Sequence, residues 1–172
     1  MNERNTGEIR HVEENDWHQI YALIERVFLR KDEARFMREL KEKDDLVYVS
    51  VIDRNQEITG VIAYSRLKIS HENKIHDALV MAPFIMDPVW QGKGLGSELI
   101  KRSHADLMAA KEKLVFVLGE ENYYGRFGYT QATAQPYNGP YDGPFLLACK
   151  WSDNAPPAGE LIYPEAFANV IG

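Results

Sequence analysis

Cysteine is nearly absent from this chain: among 172 residues there is one, Cys149. A single thiol excludes an intramolecular disulfide framework and any CxxC metal pair. Its position in the apolar run FLLACKW marks it as a core residue rather than a nucleophile. Long apolar runs are missing too. None approaches the roughly 20 residues that cross a bilayer, and the opening MNERNTGEIR lacks a signal-peptide segment. A cytoplasmic protein with no membrane partner is expected. Excess positive charge is also lacking. The net charge of −6 argues against a nucleic-acid partner and leaves room for a cationic substrate. His71 and His76 are five residues apart with no evident third ligand, so no metal is expected.

What is present suits one soluble domain: 45% hydrophobic and 27% charged residues. EIRHV (8–12) reads as a first strand. Asn15 or Asp16 is positioned to cap a helix in which Trp17, Ile20, Tyr21, Ile24, Val27 and Phe28 recur at helical spacing. DEARFMRELKEK (32–43) reads as a second helix with Phe36, Met37 and Leu40 inward. LVYVSVID (46–53) and EITGVIAYSRLKI (57–69) form a β-hairpin by composition. The polar stretch SHENKIH then separates them from a strand over 77–88. A helix from about 94 to 111 follows, with Leu95, Leu99, Ile100, Leu107 and Met108 on one face. KLVFVLGE (113–120) has the continuous apolar character of a strand buried on both faces. Beyond it lie a short helix in NYYGRFGY, a loop QPYNGPYDGP, the strand FLLACKW, a linker SDNAPPAGE and a terminal helix in YPEAFANVI. The order predicts an α/β fold with a mostly antiparallel mixed sheet and one parallel crossover. Residues 1–151 form the domain, and 152–172 a linker and short helix packed on it.

The stretch DPVWQGKGLGSELIK places Gly92, Gly94 and Gly96 at a helix start, where glycine costs about 1 kcal/mol relative to alanine. The Walker spacing GxxxxGK[ST] fails, since residue 87 is Asp and residue 94 is Gly. The dinucleotide spacing GxGxxG fails as well, although Glu120 lies at a suitable distance to mimic the ribose-binding acid. Two readings survive: a tight turn, or a cradle in which bare amides and a helix dipole receive a phosphate, with Lys93 beside them. Pro83 cannot donate to a ladder and marks an edge or a bulge. If the strand over 77–88 parts there from that over 113–120, main-chain groups of Phe84, Ile85 and Met86 become free for a ligand that carries amides. Phosphate at one end and amides along an opened strand describe pantetheine joined to a pyrophosphate.

Gln91-Gly92-Lys93-Gly94-Leu95-Gly96 resembles the Q/R-x-x-G-x-G/A motif of the GNAT family of acetyl-CoA-dependent N-acetyltransferases. Tyr124-Gly125-Arg126-Phe127-Gly128-Tyr129 resembles that family's Y-x-x-x-G-F/Y signature, about 30 residues downstream. The run VFVLGEENYYGRFGY is similar to the YhbS-like bacterial branch. The resemblance implies a GNAT fold with a splayed parallel strand pair. It implies acetyl-CoA as cosubstrate, a small-molecule or peptide amine as partner, and leaves a homodimer open. Phe84 and Met86 would bind the pantetheine arm, and the amides from Gln91 to Gly96 would hold the pyrophosphate. Tyr124 would protonate the departing thiolate, a task suited to a phenol with pKa about 10.

Two positions depart from the family pattern. Val117 stands where an asparagine is frequent, and Val80 where histone-type members carry a glutamate base. Candidate bases are therefore local: His76, Asp77 or Glu57, or a water chain. The resemblance implies acceptor walls around 28–45 and 134–145; in QPYNGPYDGP two tyrosines and Asp142 suit either a pocket rim for a small amine or a solvent-exposed turn. The alternatives to an acetyltransferase are a non-catalytic acyl-CoA-binding module and a nucleotide-dependent oxidoreductase.

Overall fold

The computed structural model describes residues 7–29 and 31–169; the first six residues and the Val-Ile end of the expected terminal helix lie outside them. In chain order the elements are β1 (Glu8–His11), α1 (Trp17–Phe28), α2 (Asp32–Glu42), β2 (Leu46–Arg54), β3 (Glu57–His71) and β4 (Lys74–Met86). They continue with α3 (Leu95–Ala109), β5 (Leu114–Leu118), α4 (Glu121–Tyr124), α5 (Gln131–Ala134), β6 (Tyr137–Asn138), β7 (Leu146–Lys150) and β8 (Gly159–Ile162). The sheet runs β1-β2-β3-β4-β5-β7, and along this path β4–β5 is the one parallel pair, joined by α3. Beside it, β8 pairs antiparallel with β3 and parallel with the two-residue β6.

The sheet is covered on both faces, which explains why its central strands read as near-continuous apolar runs. Trp17, Ile20, Ile24 and Met37 of α1 and α2 pack on Val51, Val61 and Ile85. On the other face, Leu95, Leu99, Ile100 and Leu107 of α3 pack on Tyr64, Met81, Val115 and Val117.

Four local readings are corrected. Asp16 holds the N-cap position of α1 but makes no side-chain cap bond: its carboxylate accepts from Arg10 at 2.8 and 2.9 Å and from the Glu13 amide at 2.7 Å. Within SHENKIH, Glu72 and Asn73 take positive φ (51° and 61°) and make a two-residue hairpin, so β3 and β4 are longer than expected. Met108 is exposed, and Ser103 and His104 join Leu95, Leu99, Ile100 and Leu107 on the buried face of α3 instead. Finally, the segment read as a linker runs into a strand, β8, on the flank of β3.

The feature that shapes the site is a bulge in β4. Tyr64 pairs with Met81 but Ile62 pairs with Phe84, so Ala82 and Pro83 together oppose Ala63. On the opposite edge, pairing with β5 runs only from Leu79 to Met81. The extra residue also changes which main-chain groups face outward. The Arg66 amide points to Asp45 on the β2 side, so Ser65 and Leu67 face β4, and their partners Val80 and Ala78 face back. Past the bulge, the Asp87 amide donates to Thr59 O at 2.8 Å, which makes Ile85–Val61 the mutually bonded pair. Phe84 and Met86 therefore turn their main-chain groups toward the edge that β5 has left.

Candidate active site

A cleft of about 510 Å³ opens beside this edge, lined by Phe84, Met86, Trp90, Gly92, Tyr123 and Arg126 among others. Its rim is the loop between β4 and α3. Asp87 anchors that loop: its carboxylate accepts from the Val89 amide at 3.1 Å and from Arg26 of α1 at 2.6 Å. Trp90 carries the Arg54 guanidinium over its ring at 3.5 Å. The loop then reaches Gly92 and Gly94 at φ 77° and 81°, a left-handed conformation that side chains resist. A Cβ at either glycine would meet no protein atom within 4 Å. These glycines border open space, as a phosphate cradle requires. Gly96 differs: its Cβ would lie 3.0 Å from the Phe84 ring. There, glycine permits Phe84 of β4 and Tyr123 of α4 to approach, with ring centroids 6.4 Å apart and planes within 24°.

The expected ligand residues separate into three groups. Phe84, Met86, Gln91, Gly92, Gly94 and Gly96 all line the cleft. Main-chain amides from Gly92 to Ser97 have no protein acceptor among the described residues, and those of Leu95, Gly96 and Ser97 belong to the first turn of α3. Lys93 is exposed on the loop, while the Leu95 side chain is buried and only its amide is available. One expectation is corrected, and Gln91 has a further role. Ile85 directs its main chain to β3 and buries its side chain against α1, so it has nothing to offer a ligand. The Gln91 amide donates to Pro88 O at 3.3 Å, and its side chain donates to Met86 O at 3.2 Å. Gln91 braces the loop against the strand.

Tyr124 lies just behind the cleft. Its ring rests on Gly119, immediately after β5, where a Cβ would collide with it. It meets Tyr123 edge-on, with centroids 4.9 Å apart, and Tyr129 at 5.9 Å. Burial pushes the Tyr124 phenol up to about 12, with Tyr123 adding to the shift. Its hydroxyl has no hydrogen-bond partner among the described residues. Beneath it, Tyr129 bonds His104 Nε2 at 2.7 Å, and Tyr64 bonds Ser103 Oγ at 2.7 Å. Burial lowers His104 to about 4, so the imidazole is neutral at neutral pH.

The proposed bases stand elsewhere. His76 and Asp77 lie at the far end of β4, and Asp77 precedes Phe84 by seven strand positions, about 23 Å. Lys68 pairs with Asp77 and holds its carboxyl below the usual range. Glu57 is exposed beside Arg54 at the β2–β3 turn. Among the described residues no carboxylate or imidazole lines the cleft. The expected acceptor rim forms a second pocket of about 270 Å³, lined by Gln131, Gln135, Tyr137, Asn138 and Asp142 among others. Its tyrosines serve structure: Tyr137 donates to Pro156 O at 2.5 Å and Tyr141 to Phe167 O at 3.1 Å. Asp142 accepts from the Gly139 amide at 2.8 Å.

Sequence reasoning passed over Trp90, Ser97, Tyr123 and Arg126 as cleft residues. For the last two the signal was available, since each lies within two residues of Tyr124 on the same short helical segment. Among the described residues no group of three or more His, Cys, Asp or Glu is arranged to hold a metal, and no helix is long and apolar enough to cross a membrane.

Residues 8–132 match the family model for the acetyltransferase (GNAT) domain. The chain resembles the uncharacterized N-acetyltransferase YhbS of Escherichia coli K12. Identity is 27% over 133 residues, or 77% of this chain and 72% of that protein. The fold is similar to the crystal structure of Escherichia coli YhbS in complex with CoA, with TM-score 0.88 and 24% identity over 99% of this chain and 96% of that one. It is also similar to a Brucella melitensis GNAT acetyltransferase in complex with acetyl-CoA, with TM-score 0.78 and 23% identity over 93% and 97% of the two chains. The parallel β4–β5 pair, the crossover α3 and the glycine loop before it lie within a matched family domain, and the chain belongs to the GNAT family of acetyltransferases.

Proposed function

We propose that this protein transfers the acetyl group of acetyl-CoA to a primary amine by direct attack in a ternary complex. One observation carries the reading. The outward main-chain groups of Phe84 and Met86 and the open cradle at Gly92 and Gly94 border a single cleft. An edge that offers hydrogen bonds to an amide-bearing arm thus leads to amides that receive phosphate.

The chemistry follows from the residues at hand. Amide donors on the β4 edge polarise the thioester carbonyl. The amine nitrogen forms the new bond to carbon, the carbon–sulfur bond breaks, and the departing thiolate takes the Tyr124 proton. A phenol held at about 12 is fully protonated at neutral pH and is therefore competent as an acid. With no base lining the cleft, water receives the proton of the attacking amine. Residues 152–172 belong to the same domain in this reading, because β8 is hydrogen-bonded to β3.

The missing side-chain base also supports a second reading, an acyl-CoA-binding module without catalysis. One experiment separates the two: titration calorimetry with acetyl-CoA, followed by thiol release across a panel of amines, peptides and aminoglycosides. Binding with amine-dependent release establishes the transferase. Binding without release for any acceptor favours the module, and no binding at millimolar acetyl-CoA removes both.

A further inference from the structure

Several arginines among the described residues are neutralised by carboxylates. Arg10 pairs with Asp16, Arg26 with Asp87, Arg38 with Glu25 and Arg66 with Glu112. Arg126 has no carboxylate partner among the described residues, yet it is held in a defined place. Its guanidinium lies 4.8 Å from the Tyr123 ring centroid and 5.1 Å from that of Phe127. Nε donates to Tyr123 O and one terminal nitrogen to Ser97 Oγ, each at 3.3 Å. A guanidinium carries five N–H donors in a planar fork. Two are used here, and three remain for a ligand.

The place itself is informative. Arg126 lines the cleft and, through Ser97, sits beside the first turn of α3, where the unpaired amides converge. Among the described residues it is the one charged side chain lining that cleft. Two aromatic rings and two hydrogen bonds fix the fork before any ligand arrives, which lowers the ordering cost of binding. In a chain of net charge −6, a fixed and uncompensated cation in a cleft attracts an anion with planar, paired acceptors.

We propose that Arg126 is the phosphate-selecting residue of the cosubstrate cleft: its free N–H edge pairs with a phosphate of the CoA moiety and distinguishes phosphorylated from unphosphorylated pantetheine compounds. This inference rests on the reading of the cleft as an acetyl-CoA site. Main-chain amides alone contribute the cradle, and Arg126 adds the charge that sets selectivity.

The test is calorimetric and needs no acceptor. Wild type and Arg126→Met, which keeps an apolar contact with both rings, are titrated with CoA, 3′-dephospho-CoA and pantetheine. Because a hydrogen bond to a charged group contributes about 1.5–3 kcal/mol, Arg126→Met is expected to weaken CoA binding about 10- to 100-fold. An equal loss for CoA and dephospho-CoA assigns the contact to the pyrophosphate, and a loss confined to CoA assigns it to the 3′-phosphate. Arg126→Lys, which keeps the charge but not the fork, is expected to fall between wild type and Arg126→Met, and it provides the comparison if the methionine variant folds poorly. A wild type that binds CoA alongside variants that bind it equally well would overturn this inference alone. A wild type that does not bind CoA overturns the acetyl-CoA reading and the inference with it.

Discussion

The two halves of β4 are built from one strand but do different work. From Leu79 to Met81 the chain is paired on both sides and buried on both faces. From Phe84 to Met86 it stays paired to β3 alone, and the other edge borders a cleft. Between them lie Ala82 and Pro83, where two residues oppose one. The composition of the halves is similar, so hydrophobicity does not separate them. What separates them is where hydrogen-bonding capacity is left over.

Proline substitutions break this comparison most directly. Met81→Pro removes a ladder donor aimed at β5 and is expected to cost about 3 kcal/mol of stability in urea melts. Met86→Pro removes an outward donor that has no strand partner. It is expected to cost less stability than Met81→Pro but to weaken acetyl-CoA binding about tenfold by calorimetry. Equal destabilisation by the two would mean the halves are alike. Gly94→Val places a side chain in the open cradle and forces a β-branched residue to φ 81°. Acetyl-CoA affinity is expected to drop at least about a hundredfold, and an unchanged thermal shift with ligand would refute the cradle. Tyr124→Phe is expected to lower kcat about a hundredfold with the best amine while acetyl-CoA affinity stays within about twofold. Unchanged turnover would end the acid assignment.

The smallest expected effect concerns the floor below Tyr124. Because the folded pKa of His104 is lowered from 6.5 to about 4, the unfolded chain binds a proton first as pH falls. The stability from this buried neutral imidazole is complete above about pH 6.5 and is lost as the pH drops toward 4. Its linkage amounts to about 2 kcal/mol between pH 7 and pH 5. Urea melts at the two pH values should show a correspondingly smaller difference in His104→Gln than in the wild type.

Much of this architecture was legible in the sequence, because periodicity and glycine spacing report local physics. Apolar residues at helical spacing located α1 and α2, and Pro83 announced the interruption of β4. The Glu72-Asn73 turn was missed because it lacks the glycine that usually signals a two-residue hairpin, although asparagine tolerates positive φ. Strand β8 was missed because four residues, GELI, carry no pattern apart from the partner they meet on β3. Ile85 was misassigned because a sequence does not state parity: the bulge decides which alternate residues face outward. Arg126 was overlooked because its significance lies in the carboxylate it does not meet.

In the proposed site, recognition through the β4 edge would use groups that every residue except proline possesses. The Phe84 and Met86 side chains therefore shape the cleft, while the capacity to pair with an amide-bearing arm belongs to the chain itself. Substitution at these two positions should alter the fit of the pocket without erasing the donors and acceptors beneath it. A binding site written in main chain tolerates drift that would destroy one written in side chains. By that measure the glycine loop, whose function depends on the absence of a side chain, is the more fragile half of the site.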